Sequence, residues 1–280
     1  MSIGELQVSK AVAAHLNARS SAARRVRSIA VNTFRESVRD RVLYNLILFV
    51  LILVAASVFL SDLSLDMESQ FTAALGLSVM LVFGALIAIF IGVGLVYKEI
   101  DRRTIYNLLS KPVHRYEFII GKYLGLCLTL LVNTGVMVLG TELALLYVNG
   151  KIVPLHASVL AASYLVYLEL ALVVAVALMF SSFTTPMLAA LFSFAVYVIG
   201  HFSRDLLDMA ALSNSIVTKS VLTALYYLLP NLSNFAFITE ASHARIVPLR
   251  MALSVTLYAI VYAGVLVSAS VLIFQRRNFK

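Results

Sequence analysis

The sequence predicts an all-α, polytopic membrane protein with six transmembrane helices. Three observations predict this. Of 280 residues, 61% are hydrophobic and 13% charged, with mean hydropathy +0.94, whereas soluble domains carry roughly 45–50% apolar and about 25% charged residues. The apolar residues collect into six nearly uncharged runs, close to the roughly 20 residues that a bilayer core demands. The basic residues lie mostly in alternate connections between those runs, the asymmetry that orients membrane proteins. With 12 Gly and 5 Pro the chain is not collagen-like, and Cys127, its one cysteine, can form neither an internal disulfide nor a thiolate metal cluster.

Residues 1–23 carry no usable pattern and are assigned as an N-terminal extension. Over 24–42, Val26, Ile29, Ala30, Thr33, Phe34, Val38 and Val42 share one side of a helix, with Arg24, Arg27, Arg35 and Arg39 largely off it. That spacing predicts a helix lying in the membrane interface, the alternative being a plain extension of the first span. The spans then run Leu43–Leu60, Phe71–Tyr97, Phe118–Val148, Ala157–Phe180, Met187–Phe202 and Met251–Phe274, the fifth being short. No cleavable signal peptide is expected, because the first apolar run starts after residue 42 and exceeds the roughly 7–15 residues of a signal core.

The N-terminal segment holds eight Lys and Arg, the connection after span two holds six and the tail three, which is seventeen of 22. Both termini are therefore expected in the cytoplasm, with a bacterial inner membrane as the default location. The formal charge of +8 is explained by this topology, and no nucleic-acid role is expected. The long outer connection, 203–250, contains an apolar stretch from Ile216 to Leu229 ended by Pro230 and Asn231. It predicts re-entrant or interfacial helices; a seventh span is disfavoured by Lys219 and the shortness of the run.

The connection at 97–117 is short and dense in charge of both signs. Ile105, Leu108 and Leu109 fall at helical spacing and Lys111-Pro112 ends the run, so a short amphipathic helix is expected, with an apolar stripe and charged flanks suited to a partner's groove. The alternative is a juxtamembrane loop whose charges only anchor the spans.

That connection resembles the one in permease subunits of type-two ABC exporters. There an acidic stretch, a Thr, a Leu pair, Pro-Val, an Arg and a closing Gly-Lys recur in this order. Here these are Glu99 and Asp101, Thr104, Leu108 and Leu109, Pro112 and Val113, Arg115, and Gly121 and Lys122, with Arg103 where a Gly often precedes the Thr. Phe34, Arg35, Glu36 and Arg39 in the interfacial helix, and Ser181-Ser182 before span five, extend the likeness. Within the class the chain looks most like permeases for multicopper-enzyme maturation, including nitrous-oxide reductase assembly. The resemblance implies a single permease domain over 24–280, working as two copies with separate ATPase subunits, and transporting rather than catalysing. It implies a coupling element at Glu99–Arg115, with Glu99, Asp101, Arg102 and Arg103 as polar contacts and Leu108 and Leu109 as the seat. ATP and Mg would sit on the partner, because this chain lacks G-x-x-x-x-G-K-[ST]: its Gly-Lys pairs are followed by Tyr123 and Ile152. A scaffold that docks a cytoplasmic partner without moving cargo is the other class of function considered.

H-E-x-x-H, G-x-S-x-G and C-x-x-C are missing, and the five histidines lie in or beside connections. No metal site and no bound cofactor are expected. Two acids fall inside spans, Glu142 and Glu169, where charge is costly and a functional role is the default reading. Each could face a polar conduit or be a packing acid hydrogen-bonded to Asn133, Thr141, Tyr164 or Tyr167. Gly84, Ala88 and Gly92 repeat every four positions, as do Gly121 and Gly125, permitting close helix contact. In the resembled family spans two and five line the path, which makes Phe83, Phe90, Phe194 and Tyr197 candidate lining residues beside ordinary packing.

Overall fold

The computed structural model describes residues 22–37, 48–49, 52, 67–101, 114–213 and 215–276, with the side chains of 95–101 and 276 outside the description. The expected first span Leu43–Leu60, apart from Leu48, Phe49 and Ile52, lies outside the described residues, as do Arg102 to Val113. Among the described residues there are helices and no strand. They are α1 (22–37), α2 (Glu68–Asp101), α3 (Arg115–Asn149), α4 (Pro154–Ser181), α5 (Pro186–His201), α6 (Ser203–Leu212), α7 (Ile216–Leu228), a 3-10 turn (Leu232–Phe235), α8 (Ile238–Ser242) and α9 (Leu249–Arg276).

Four of these are long and apolar enough to cross a membrane: Glu68–Gly94 of α2, α3, α4 and Leu249–Gln275 of α9. The count rises to six if each of two bent pairs makes one span: α5 with α6, bent by 66°, and α7 with the segment Leu232–Ser242, bent by 53°. Alone, α5 has 16 residues and α7 has 13, which at 1.5 Å per residue is short of the roughly 30 Å hydrocarbon core.

The packing centres on α4, which touches α2, α3, α5 and α9. Its apolar residues run all round the helix, and Leu172 to Leu178 are buried without a break, the signature of a helix surrounded by others. In contrast, α9 shows outward Leu253, Leu257, Ile260 and Val265, as a helix with one face toward lipid should. The small residues of α2 bring it against its neighbours. A Cβ on Gly84 would overlap Leu170 of α4, and one on Gly92 would meet Ala177 Cβ at 3.0 Å.

Turn chemistry separates the helices. Gly150, at φ 64°, closes α3, its N–H donating to the Leu146 carbonyl at 2.9 Å. Pro154 and Pro186 open α4 and α5, where the missing N–H costs nothing. At the end of α5 Gly200 is pressed so closely by Leu232 Cγ and the Pro230 carbonyl, each 2.8 Å from where a Cβ would stand, that no side chain fits.

α1 has the amphipathicity expected of residues 24–42, but its apolar side rests on protein. A Cβ on Gly121 would lie 2.7 Å from Ile29 Cγ2, and one on Gly125 would lie 2.6 Å from Thr33 Cβ and the Ala30 carbonyl. Val26, Ile29, Ala30 and Thr33 therefore lie along the first turns of α3.

Gly84→Ala should lower thermal stability in detergent by several degrees, as overpacking costs about 1–3 kcal/mol. Gly94→Ala, where an added Cβ meets nothing within 4 Å, should leave the melting temperature unchanged or slightly raised.

Candidate functional site

The best-connected polar cluster surrounds the first turns of α3, where the expected coupling connection ends. Glu117 is fully buried and accepts two hydrogen bonds from Arg25 of α1, from Nε at 2.8 Å and Nη2 at 2.7 Å. Such a fork fixes direction as well as distance. Its Oε2 also accepts the His114 backbone N–H at 3.2 Å, closing the N-terminus of α3. The hydrogen bonds to Glu117 raise the Arg25 guanidinium above its ordinary value.

Two more contacts tie the same turns. Lys122, almost fully buried, has its Nζ 3.9 Å from Glu36 Oε2 and 5.7 Å from the centre of the Phe118 ring. Arg115 donates to the carbonyls of Phe274 and Gln275 at 3.3 and 2.9 Å, satisfying C-terminal groups of α9 that no helical N–H can reach. Phe118 stacks on Phe274 with ring centres 5.8 Å apart. About two turns of α3 thus hold α1 on one side and the end of α9 on another.

Of the expected coupling residues, Arg115 sits in this cluster. Glu99 and Asp101 lie on the last turn of α2, their side chains outside the description, and Arg102, Arg103, Thr104, Leu108, Leu109 and Pro112 lie outside the described residues.

The two intramembrane acids meet histidines. Glu142 of α3 pairs through Oε2 with His156 Nδ1 near the start of α4. Glu169, 1% exposed in the middle of α4, has Oε1 3.1 Å from His201 Nε2 at the end of α5; the contact is close but not aligned as a hydrogen bond. His201 also meets the Tyr197 ring edge-on at 4.7 Å, and Phe194 lies 6.5 Å from Tyr197. The alternative partners take other roles: Thr141 donates to the Met137 carbonyl, Tyr164 bonds Thr256, and Tyr167 donates to the Cys127 carbonyl. Asn133 is buried without a hydrogen bond to either acid.

Glu169 and Tyr197 thus meet His201, with Phe194 beside Tyr197. Phe90 is 63% exposed on α2, and Phe83 packs on the core. Arg25, Glu117, His156 and His201 were not singled out from sequence. His201 had a usable signal, lying one helical turn beyond Tyr197. The Arg25–Glu117 pair, 92 positions apart, had none.

A third polar arrangement holds the break after α7. Backbone groups released where a helix breaks need new partners, and α9 supplies them. Tyr262 donates its hydroxyl to the Leu228 carbonyl at 2.7 Å, and the Asn231 N–H donates to Tyr258 Oη at 2.7 Å. No group of three or more His, Cys, Asp or Glu able to hold a metal occurs among the described residues.

Apolar helices long enough to span, wrapped about α4, define a multi-pass membrane protein. A family model described as ABC-2 family transporter protein matches residues 27–278. The chain belongs to that family and is a transmembrane component of an ABC transporter; membership implies the ATPase partnership typical of such transporters. A comparison with curated proteins finds no match.

Glu117→Gln removes the charge that holds the Arg25 fork. It should loosen α1 and speed trypsin cleavage at the exposed Arg24 and Arg27 several-fold, with little change at Arg204 as an internal reference.

Proposed function

We propose that the chain is the membrane subunit of an ATP-driven exporter, in which two copies form the translocation path and separate ATPase subunits engage the connection Glu99–Arg115. The observation that carries this reading is the family match over nearly the whole chain, taken with the order of charges and apolar residues in that connection. The junction at α3 supports it mechanically. A push on residues that end at Arg115 meets a helix start fixed to α1 by Glu117 and to α9 by Arg115 itself. Force would move these elements together instead of bending a loose loop.

In this reading the spans number six, both termini and the connection 97–117 face the cytoplasm of a bacterial inner membrane, and the segment 203–250 faces outward. ATP and Mg bind only the partner, and the chain contributes no hydrolytic group. Glu169, with His201, Tyr197 and Phe194, lies on the path at mid-depth: it is twelve residues, about 18 Å, from the end of a helix about 42 Å long. Glu142, paired with His156 nearer the other end of α4, lines it further out. Phe83 and Phe90 on α2 complete the lining across the two copies. Cargo for multicopper-enzyme maturation follows the resemblance of the connection. One Cys and eight scattered Met make a sulfur compound or other carrier a better cargo than bare copper.

Glu99→Ala combined with Asp101→Ala should leave the complex with its ATPase assembled yet lower cargo-stimulated ATP turnover in reconstituted vesicles roughly tenfold, the loss of one or two charge-assisted contacts. Wild-type turnover in an assembled double variant favours the scaffold reading.

A further inference from the structure

Between the start of α6, the 3-10 turn and the first half of α9 lies a partly open cavity of about 330 Å³, lined by Arg204, Asn234, Met251, Ser254, Val255 and Tyr258. Its polar groups are unevenly committed. Ser254 donates its hydroxyl to the Met251 carbonyl at 2.9 Å. Tyr258 accepts the Asn231 N–H, which leaves its own hydroxyl proton without an acceptor. Among the described residues, the Asn234 carboxamide makes no hydrogen bond and the Arg204 guanidinium makes neither a hydrogen bond nor an ion pair. Asp205 and Asp208 share α6 with Arg204 but do not pair with it.

Three groups able to donate therefore line one cavity: a guanidinium fork, an amide and a phenol. Arg204 is exposed at the mouth of the cavity and no carboxylate among the described residues occupies its planar fork, which leaves the fork able to take an oxyanion bidentately. The cavity holds only a small group. Beside it on α9 stand Leu253 and Leu257, 62% and 64% exposed, one position before Ser254 and Tyr258. A ligand with an anionic head and an apolar tail matches both features; a wholly soluble anion would use only the first.

We infer that this cavity binds the anionic headgroup of a membrane amphiphile, its oxyanion held by Arg204, Asn234 and Tyr258 and its acyl chain lying along Leu253 and Leu257. The site is separate from the Glu169–His201 pair and does not depend on the exporter reading, because binding needs no ATP.

The test uses the full chain in non-ionic detergent, titrated with dioctanoyl phosphatidylglycerol and, in parallel, dioctanoylglycerol, which has the same acyl chains and no oxyanion, with bound lipid counted by native mass spectrometry. Wild type should prefer the anionic lipid roughly tenfold, the worth of one charge-assisted contact. Arg204→Ala should abolish the preference with an unchanged melting temperature, since the side chain is exposed. Asn234→Ala should weaken binding less. Millimolar inorganic phosphate should not displace the lipid. A preference retained in folded Arg204→Ala overturns the inference, and so does displacement by phosphate, which assigns the cavity to free oxyanions.

Discussion

A polar group shut away from water needs a partner in the chain, and at three places in this protein such a partner joins segments far apart in sequence. That constraint shapes the architecture more than apolar burial does, because lipid tails are as apolar as the helices they surround. It fixes α1 on α3 through Arg25 and Glu117, and it draws the end of α9 to Arg115. It also lets the chain break after α7, where Tyr258 and Tyr262 take up the stranded backbone groups. Where apolar packing does decide, it does so through small residues. Gly84 and Gly92 set α2 against α4, and Gly121 and Gly125 receive α1.

The result is a molecule with two unlike ends. At the start of α3, charged and aromatic contacts bind three helices into one body. At the other end, short helices change direction twice, held by a few hydroxyls and by the close approach of Leu232 to Gly200. A transporter driven from one side benefits from this division. In the proposed exporter the end at α3 would transmit displacement without yielding and the far end would rearrange at low cost, since contacts made by single neutral hydrogen bonds are individually worth only about 1 kcal/mol. Glu169 and His201 stand at the boundary between the two, where α5 gives way to α6.

Much of the fold was legible in the sequence because membrane spans are written in one dimension. Four of the expected runs lie within α2, α3, α4 and α9, and the short run Met187–Phe202 falls on α5 and its cap. The apolar stretch ending at Pro230 marked α7 to within a residue. The glycine spacing predicted close contacts that the structure contains, though periodicity could not name the partner helix. The apolar side of 24–42 was readable as a helix face, but not that it covers α3 instead of lipid, since both surfaces ask for the same residues. Pairings across distant segments were the least legible. Glu142 and Glu169 were conspicuous as acids, yet their histidines lie 14 and 32 positions away, and nothing local marks a partner brought near by helix packing.

The central claim is that α1, the start of α3 and the end of α9 move as one body when the connection before Arg115 is displaced. Distances between spin labels at Ser28→Cys of α1 and Gln275→Cys of α9, in a Cys127→Ser background and with the co-assembled ATPase, measure this directly. Both positions are exposed. A single body predicts the same Ser28–Gln275 distance without nucleotide and with the ATPase trapped by vanadate, while the distance from Ser28 to a label at Leu191→Cys of α5 changes. A nucleotide-dependent change between Ser28 and Gln275 would contradict it.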